Sequence, residues 1–200
     1  MLFFTSDWHL GHQRIIELCD RPFEDVSHMH KELVKRHNNL VGQSDDVFVL
    51  GDVAMGVFLE SIKIVGKFNG TRIMLPGNHD RLSGHESESR KNKFRSAYED
   101  VFDYVEEDGF AQAEISGIDG ENFVVNMSHF PYSGDSHDKD RYEDLRPFDD
   151  GAILLHGHTH SPQKVSRSPR GSLQISVGVD SWDYRPASEH EIVQLIKENL

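Results

Sequence analysis

Short apolar runs in this chain end repeatedly in residues that carry oxygen or imidazole groups. The run at 47–50, Val-Phe-Val-Leu, has the β-branched and aromatic composition of a buried strand, and Gly51 and Asp52 follow it directly. Because sheets built from strands and helices bind ligands at the carboxyl ends of their strands, we expect Asp52 to lie at the centre of a site. Similar runs bring further side chains to strand ends: Asp7 with His9, Asn78 with His79 and Asp80, His129, and His158 with His160.

The first half of the chain alternates predicted strands and helices. Apolar spacing predicts, in order, a strand at 2–5, a helix at 25–40, a strand at 47–50, a helix at about 58–68 and a strand at 72–75. This order is typical of an α/β protein in which right-handed crossovers join parallel strands. We therefore expect a parallel sheet in this half.

The second half has a different pattern. It begins with a polar stretch at 81–95, which reads as an exposed loop or a short surface helix. The Asp-Gly pairs at 108–109 and 119–120 are hairpin signals, so we expect mostly antiparallel pairing here. The predicted strands are 101–106, 110–115, 123–127, 152–156 and 173–179.

Two local features complete the pattern of the second half. The polar segment 133–147 directly follows His129 and its strand, which predicts a lid or substrate loop. Ser188 and Glu191 have the spacing of a capping box for a C-terminal helix.

Length and charge narrow the classes of protein and partner. A chain of 200 residues suits one domain over 1–200. The net charge of -13 argues against duplex nucleic acid as a partner, and a nucleic-acid binder is disfavoured for the same reason. No apolar run approaches the ~18 residues that span a bilayer, and no secretory leader precedes the first strand. We expect a soluble cytoplasmic protein that does not bind membranes, with its oligomeric state left open.

The strand-end residues have the chemistry of a two-metal site. Carboxylate, imidazole and amide ligands around two ions bridged by Asp52 suit Mn first, with Fe, Zn, Co and Ni as alternatives, better than an all-oxygen Mg or Ca site. Two such ions activate a bridging hydroxide for in-line attack at phosphorus. His79 is then placed to protonate the leaving oxygen, with Asp80 orienting its ring.

These motifs, in this order, resemble those of the calcineurin-like metallophosphoesterases from Phe3 to about Tyr184: Asp7-x-His9, Gly51-Asp52, Gly77-Asn78-His79-Asp80, His129 and Gly157-His158-x-His160. The resemblance implies a four-layer αββα sandwich with mixed sheets. It also implies two ligand sets, with Asp52 between them: Asp7, His9 and His160 on one metal, and Asn78, His129 and His158 on the other. His79 takes the role of the acid or phosphate-binding histidine.

Details of the motifs favour a small prokaryotic or phage-type phosphodiesterase. Protein phosphatases of this family typically have Asp-Arg-Gly after the Gly-Asp and a Gly-Asn-His-Glu motif, whereas this chain has Val53-Ala54-Met55-Gly56 and ends the second motif in Asp80. The resemblance therefore implies hydrolysis of small nucleotide-type phosphodiesters, cyclic ones included. A phosphomonoesterase of the same fold and a non-catalytic metal-binding scaffold stay open as alternatives.

Several residues near the motifs have two readings of similar weight. His12, Arg14 and Arg81 flank the predicted site and would bind substrate phosphate oxygens, but the same residues fit ordinary surface positions. His156 ends a buried strand and is interpreted as structural, and Trp182 is interpreted as a packing residue.

Overall fold

The structure is a computed structural model that describes residues 1–137 and 139–200. The helices are α1 Ile15–Leu18, α2 Val26–Asn38, α3 Phe58–Ser61, α4 Glu88–Glu99 and α5 Glu189–Asn199. The strands are β1 Leu2–Thr5, β2 Asp46–Val49, β3 Thr71–Met74, β4 Tyr104–Val105, β5 Phe110–Ser116, β6 Asn122–Ser128, β7 Ile153–His156, β8 Val165–Arg167, β9 Leu173–Ser176 and β10 Ala187–Ser188. Short 3₁₀ helices lie at Ile62–Lys67, Glu143–Leu145 and Val179–Ser181.

The strands form two five-stranded sheets, with the orders β10-β1-β2-β3-β4 and β5-β6-β7-β9-β8. In the first sheet β1, β2 and β3 are parallel, as predicted, β4 joins β3 parallel, and β10 joins β1 antiparallel. One buried cluster fills the space between this sheet and α1 to α4, and Trp8, Met29 and Leu33 belong to it. The mixed α/β fold class predicted from the sequence is confirmed.

The helices of the first half follow their sequence signals with two differences. Asp25 caps α2 by accepting a hydrogen bond from the backbone N–H of His28. The predicted helix at 58–68 is α3 followed by a 3₁₀ helix. The stretch 81–95 contains the start of α4, a full helix to Glu99, since Ser87 caps it and Tyr98 anchors it in the core.

The expectation that the second half is mostly antiparallel was wrong. Only the β5–β6 hairpin and the β8–β9 pair are antiparallel in the described residues of the second sheet, while β6, β7 and β9 run parallel. Long crossover segments join these parallel strands, as parallel pairing requires. β4 pairs parallel with β3 in the first sheet, so the Asp-Gly turn at 108–109 lies where the chain passes from one sheet to the other.

A second buried cluster lies between the two sheets. Phe4 and Leu50 from the first sheet meet Val125 and Ile175 from the second, and α5 adds Ile192 beside them. The capping box of α5 is present as predicted. The one-domain organisation over 1–200 stays a prediction.

The outer face of the second sheet is covered partly by the segment that follows His129. Tyr132 and Ser133 in this segment hydrogen bond to Asn126 of β6 and Gln174 of β9.

None of the helices in the described residues has the length and apolar character that a bilayer crossing requires.

Candidate metal centre

The loops that follow five strands from both sheets are joined by hydrogen bonds at one end of the molecule. The N–H of Asp7 donates to the Gly51 carbonyl, and the N–H of His9 donates to the Asp52 carbonyl, both at 3.0 Å. The N–H of His158 in turn donates to the Asp7 carboxylate at 3.1 Å. These bonds bring the loops of β1, β2 and β7 against one another.

Five of the candidate ligand residues have a left-handed backbone: Asp7, His9, Asp52, His158 and His160, with φ between 49° and 69°. This conformation costs about 1 kcal/mol for a residue with a side chain. Asp and His tolerate it better than most residues. Strained backbone gathered in one place is typical of a functional site.

Gly77 allows the loops of β2, β3 and β6 to approach closely. A Cβ atom at this position would lie 2.7 Å from the Asp52 nitrogen and 2.8 Å from Cε1 of the His129 ring, and it would also overlap the Asp52 carboxylate. These groups occupy the space that any larger residue would need. The glycine therefore permits the contact between two candidate ligands.

The first ligand set consists of three acceptor atoms that face one another. Nε2 of His129 lies 3.1 Å from Oδ1 of Asn78, and Nδ1 of His158 lies 2.9 Å from the same oxygen. The opposite nitrogen of each ring has an acceptor partner, because His129 Nδ1 donates to the Leu50 carbonyl and His158 Nε2 donates to Asp135. Lone pairs that converge in this way fit a cation.

The second ligand set has the same character and contains carboxylates. Nε2 of His9 lies 3.2 Å from Nε2 of His160 and 3.5 Å from the Asp52 carboxylate. Ligand atoms of Asp7, His9 and His160 lie within 4.8 Å of one another, and so do those of Asp7, Asp52 and His129. Asp7 and Asp52 therefore connect the two sets, and all seven predicted ligands are brought together.

The charges of the site also suit a cation. Burial and the His129 ring lower the pKa of His158 to about 4, which leaves the ring neutral and able to bind a metal. Burial opposes protonation of His160 as well, but its hydrogen bond to Asp180 and the nearby Asp7 carboxylate raise its pKa to about 11, so a metal at this ring would have to displace a proton. Burial and the Asp7 charge raise the pKa of Asp52. Two buried carboxylates thus attract positive charge at this point.

His79 and Asp80 have separate environments. The His79 side chain is exposed at the site, 5.5 Å from the His9 ring, and its backbone N–H donates to Asp52. The Asp80 carboxylate is buried, and the expectation that it orients the His79 ring is corrected. Its four donors are the N–H groups of Asp52, Val53 and Gly77 and the Tyr98 hydroxyl.

The candidate substrate residues differ in their positions. The His12 ring lies 5.6 Å from the His9 ring, at the edge of the site, and Arg14 is exposed beside it. The Arg81 guanidinium lies 5.7 Å from the ring centres of both Phe58 and Phe94, where packing holds it.

Sequence reasoning missed two carboxylates that contact candidate ligands. Asp180 accepts a hydrogen bond from His160, and Asp135 accepts one from His158. Asp180 follows the apolar run Val177-Gly178-Val179, so the strand-end signal used for Asp52 applies to it as well. Asp135 lies in the polar segment 133–147, and its surroundings in sequence give no comparable signal.

Comparisons with known proteins show the family of the chain. The calcineurin-like phosphoesterase family model matches residues 2–162. The Gene 66 protein of Mycobacterium phage L5 is 37% identical over 97% of this chain and 93% of its own. An uncharacterized protein of Methanocaldococcus jannaschii is 28% identical over 98% of this chain and 92% of its own. A protein of unknown function from Aquifex aeolicus, whose structure is solved, has the same fold, with a TM-score of 0.67, 23% identity and 98% of each chain covered.

Proposed function

Because this chain belongs to the calcineurin-like phosphoesterase family and is a metal-dependent phosphoester hydrolase, we propose that it hydrolyses small nucleotide-type phosphodiesters, cyclic ones included, with two manganese ions. One observation carries the proposal. Nitrogen and oxygen ligand atoms from both sheets converge with their lone pairs toward one another. Such a mixed set suits Mn better than Ca or Mg.

The residues of the chain have distinct proposed roles toward the metals. Asp7, His9 and His160 would hold one ion, Asn78, His129 and His158 the other, and Asp52 lies between the two sets. When bound, the two ions activate water as the nucleophile and withdraw charge from the phosphoryl oxygens.

His79 is the proposed proton donor to the leaving oxygen. Its ring is exposed at the site, while its backbone N–H is held at 2.9 Å by the Asp52 carboxylate. Asp52, which lies between the two ligand sets, thereby also fixes the position of the proposed acid His79. Proton transfer from a positioned imidazole typically raises the rate by roughly 10²- to 10⁴-fold.

Three arginines around the site are bound by carboxylates, which supports a diester over a monoester. Arg21 binds Asp180, Arg141 and Arg146 bind Asp135, and Arg81 packs on two phenylalanine rings. The three guanidinium groups bound to carboxylates are not free to take up the second negative charge of a monoester, whereas Arg81 and Arg14 have no carboxylate partner in the described residues. A phosphodiester carries one charge and needs less compensation.

The test compares an aryl phosphodiester with the matching monoester, using chelator-stripped protein with manganese restored. We expect manganese-dependent turnover that favours the diester and falls about 10²-fold or more in His79→Gln. His28→Gln, on helix α2, is the control and keeps its activity. Preference for the monoester would refute the diester assignment. If neither ester is cleaved with Mn, Fe, Co, Zn or Ni although metal binds, the scaffold alternative replaces the enzyme.

A further inference from the structure

Asp135 and Asp180 lie behind the two histidines of the Gly-His-Thr-His turn. We propose that they are positioning residues that determine which ring nitrogen His158 and His160 turn toward the metals. The inference rests on the proposed function, because it concerns the ligands of the metals that the reaction needs.

The hydrogen bond of His160 fixes its Nε2 as the ligand atom. Nδ1 of His160 donates to Oδ2 of Asp180 at 2.9 Å, and an ionised carboxylate only accepts, so Nδ1 carries a proton. Nε2 of the same ring faces the site, 3.8 Å from Oδ1 of Asp7 and 3.2 Å from the His9 ring. The ring cannot turn over without losing the Asp180 bond.

Arg21 holds Asp180 in place, and it also contacts Asp7, which belongs to the same ligand set as His160. It is fully buried and binds both oxygens of Asp180, at 2.8 and 2.9 Å. It also donates to the backbone carbonyls of Asp7, at 2.8 Å, and Trp8, at 3.3 Å. Asp180 thus orients His160 through its ring, and Arg21 orients Asp7 through its backbone carbonyl.

The same contacts argue against a separate metal site behind His160. Ligand atoms of Cys19, His160 and Asp180 lie close enough together to hold an ion. Both oxygens of Asp180 are already bound, however, and the positive charge of Arg21 occupies that side. A second cation there would be repelled.

His158 is held in the opposite orientation. Its Nε2 donates to Oδ2 of Asp135 at 2.9 Å, so Nδ1 faces the site, 2.9 Å from Oδ1 of Asn78. The Asp135 side chain is fully buried and is bound by Arg141 at 2.7 Å and by Arg146 at 3.2 Å. His158 and His160, which are separated by one residue, therefore present different nitrogens to the site. A separate carboxylate determines the orientation of each ring.

Asp135 makes the described part of the segment 133–147, residues 133–137 and 139–147, part of the proposed metal centre. Arg146 is nearly buried and ties this segment together by donating to the carbonyls of Pro131, Gly134 and Arg141. The carboxylate that reaches His158 thus lies among residues that Arg146 holds by hydrogen bonds. A carboxylate behind a ligating histidine raises the basicity of the ring, and its loss typically weakens metal binding by about 10- to 100-fold.

The test titrates metal-free protein with Mn²⁺ alone and follows the free ion by electron paramagnetic resonance. Wild type is expected to bind two ions. Asp135→Asn should weaken one binding event by about 10- to 100-fold, and Asp180→Asn the other. Asp144→Asn removes an exposed charge from the segment that carries Asp135 and should bind as wild type does.

A spectroscopic readout separates positioning from general stability. In protein with ¹⁵N-labelled histidine loaded with Zn²⁺, long-range ¹H–¹⁵N spectra should show the proton on Nε2 of His158 and on Nδ1 of His160. Asp135→Asn should alter only the His158 pattern. If Asp180→Asn does not fold because Arg21 loses its partner, the double variant Arg21→Met with Asp180→Asn takes its place, and Arg21→Met alone measures the part of its effect that comes from the lost contact with the Asp7 carbonyl.

The outcomes distinguish failure of the positioning roles from failure of the proposed function. Variants that fold, bind two Mn²⁺ ions with wild-type affinity and keep both ring patterns would overturn the positioning roles. Wild-type protein that binds no metal would overturn the proposed function instead. In that case the metal-free spectra still test whether Asp135 holds the proton of His158 on Nε2.

Discussion

Replacing Gly77 with alanine should damage the metal centre without removing any ligand. The added Cβ would lie 2.7 Å from the Asp52 nitrogen and 2.8 Å from Cε1 of His129, and it would overlap the Asp52 carboxylate. Backbone atoms and a buried ring cannot move aside as the end of a flexible side chain can. The substitution must therefore displace Asp52, His129 or both.

The expected size of the effect follows from overpacking. Forcing one extra carbon into a well-packed region typically costs about 1–3 kcal/mol. We expect the free energy of unfolding of the metal-free protein to fall by that amount. Metal binding should suffer further, since Asp52 connects both ligand sets and His129 belongs to one of them.

Urea unfolding of metal-free protein, Mn²⁺ stoichiometry and diester hydrolysis together measure the result. Gly66→Ala is the matched control, because a Cβ at that exposed position meets no atom within 4 Å. It should leave metal binding unchanged and raise stability by about 0.5 kcal/mol. A Gly77→Ala protein with wild-type stability, two bound ions and full turnover would refute the reasoning.

Three further predictions concern stability. Burial lowers the pKa of His37 to about 4, so the unfolded chain takes up a proton there first, and stability should fall by about 3 kcal/mol as pH drops from 6.5 to about 4; urea unfolding of His37→Gln should lack this loss. Tyr98→Phe leaves the Arg81 N–H without its acceptor and should cost about 1–3 kcal/mol in a thermal melt while Mn²⁺ stoichiometry stays at two. Chelation should lower the melting temperature, and Mn²⁺ at 1,000 times its Kd should restore about 4 kcal/mol for each ion bound; an equal shift with Ca²⁺ would contradict the ligand preference.

The convergence of the candidate ligands was predictable because one rule places them. Each lies just after an apolar run, and parallel strands end at the same edge of a sheet. For Asp52 and Asn78, this rule alone predicts that they lie at the site. The same rule applied to Val177–Val179 would have included Asp180.

Other features depend on contacts distant in sequence. β4 has only two residues, and its pairing with Ile73 and Met74 decides its sheet and direction. Neighbouring residues can also point in opposite directions, which is why Asp80 is buried among backbone donors while His79 is exposed. Asp135 reaches His158 across 23 positions of sequence, and no periodic pattern in the sequence predicts that contact.

The left-handed backbone at five candidate ligand positions places the proposed catalysis and folding in conflict. At about 1 kcal/mol each, the strain amounts to about 5 kcal/mol that the polypeptide must recover elsewhere. Glycine at any of these positions would relax the chain and abolish a ligand. A population selected only for thermal resistance, with no demand for turnover, should therefore accumulate glycine at Asp7, His9, Asp52, His158 or His160. Persistence of the original side chains under such selection would mean that they stabilise the molecule in their own right.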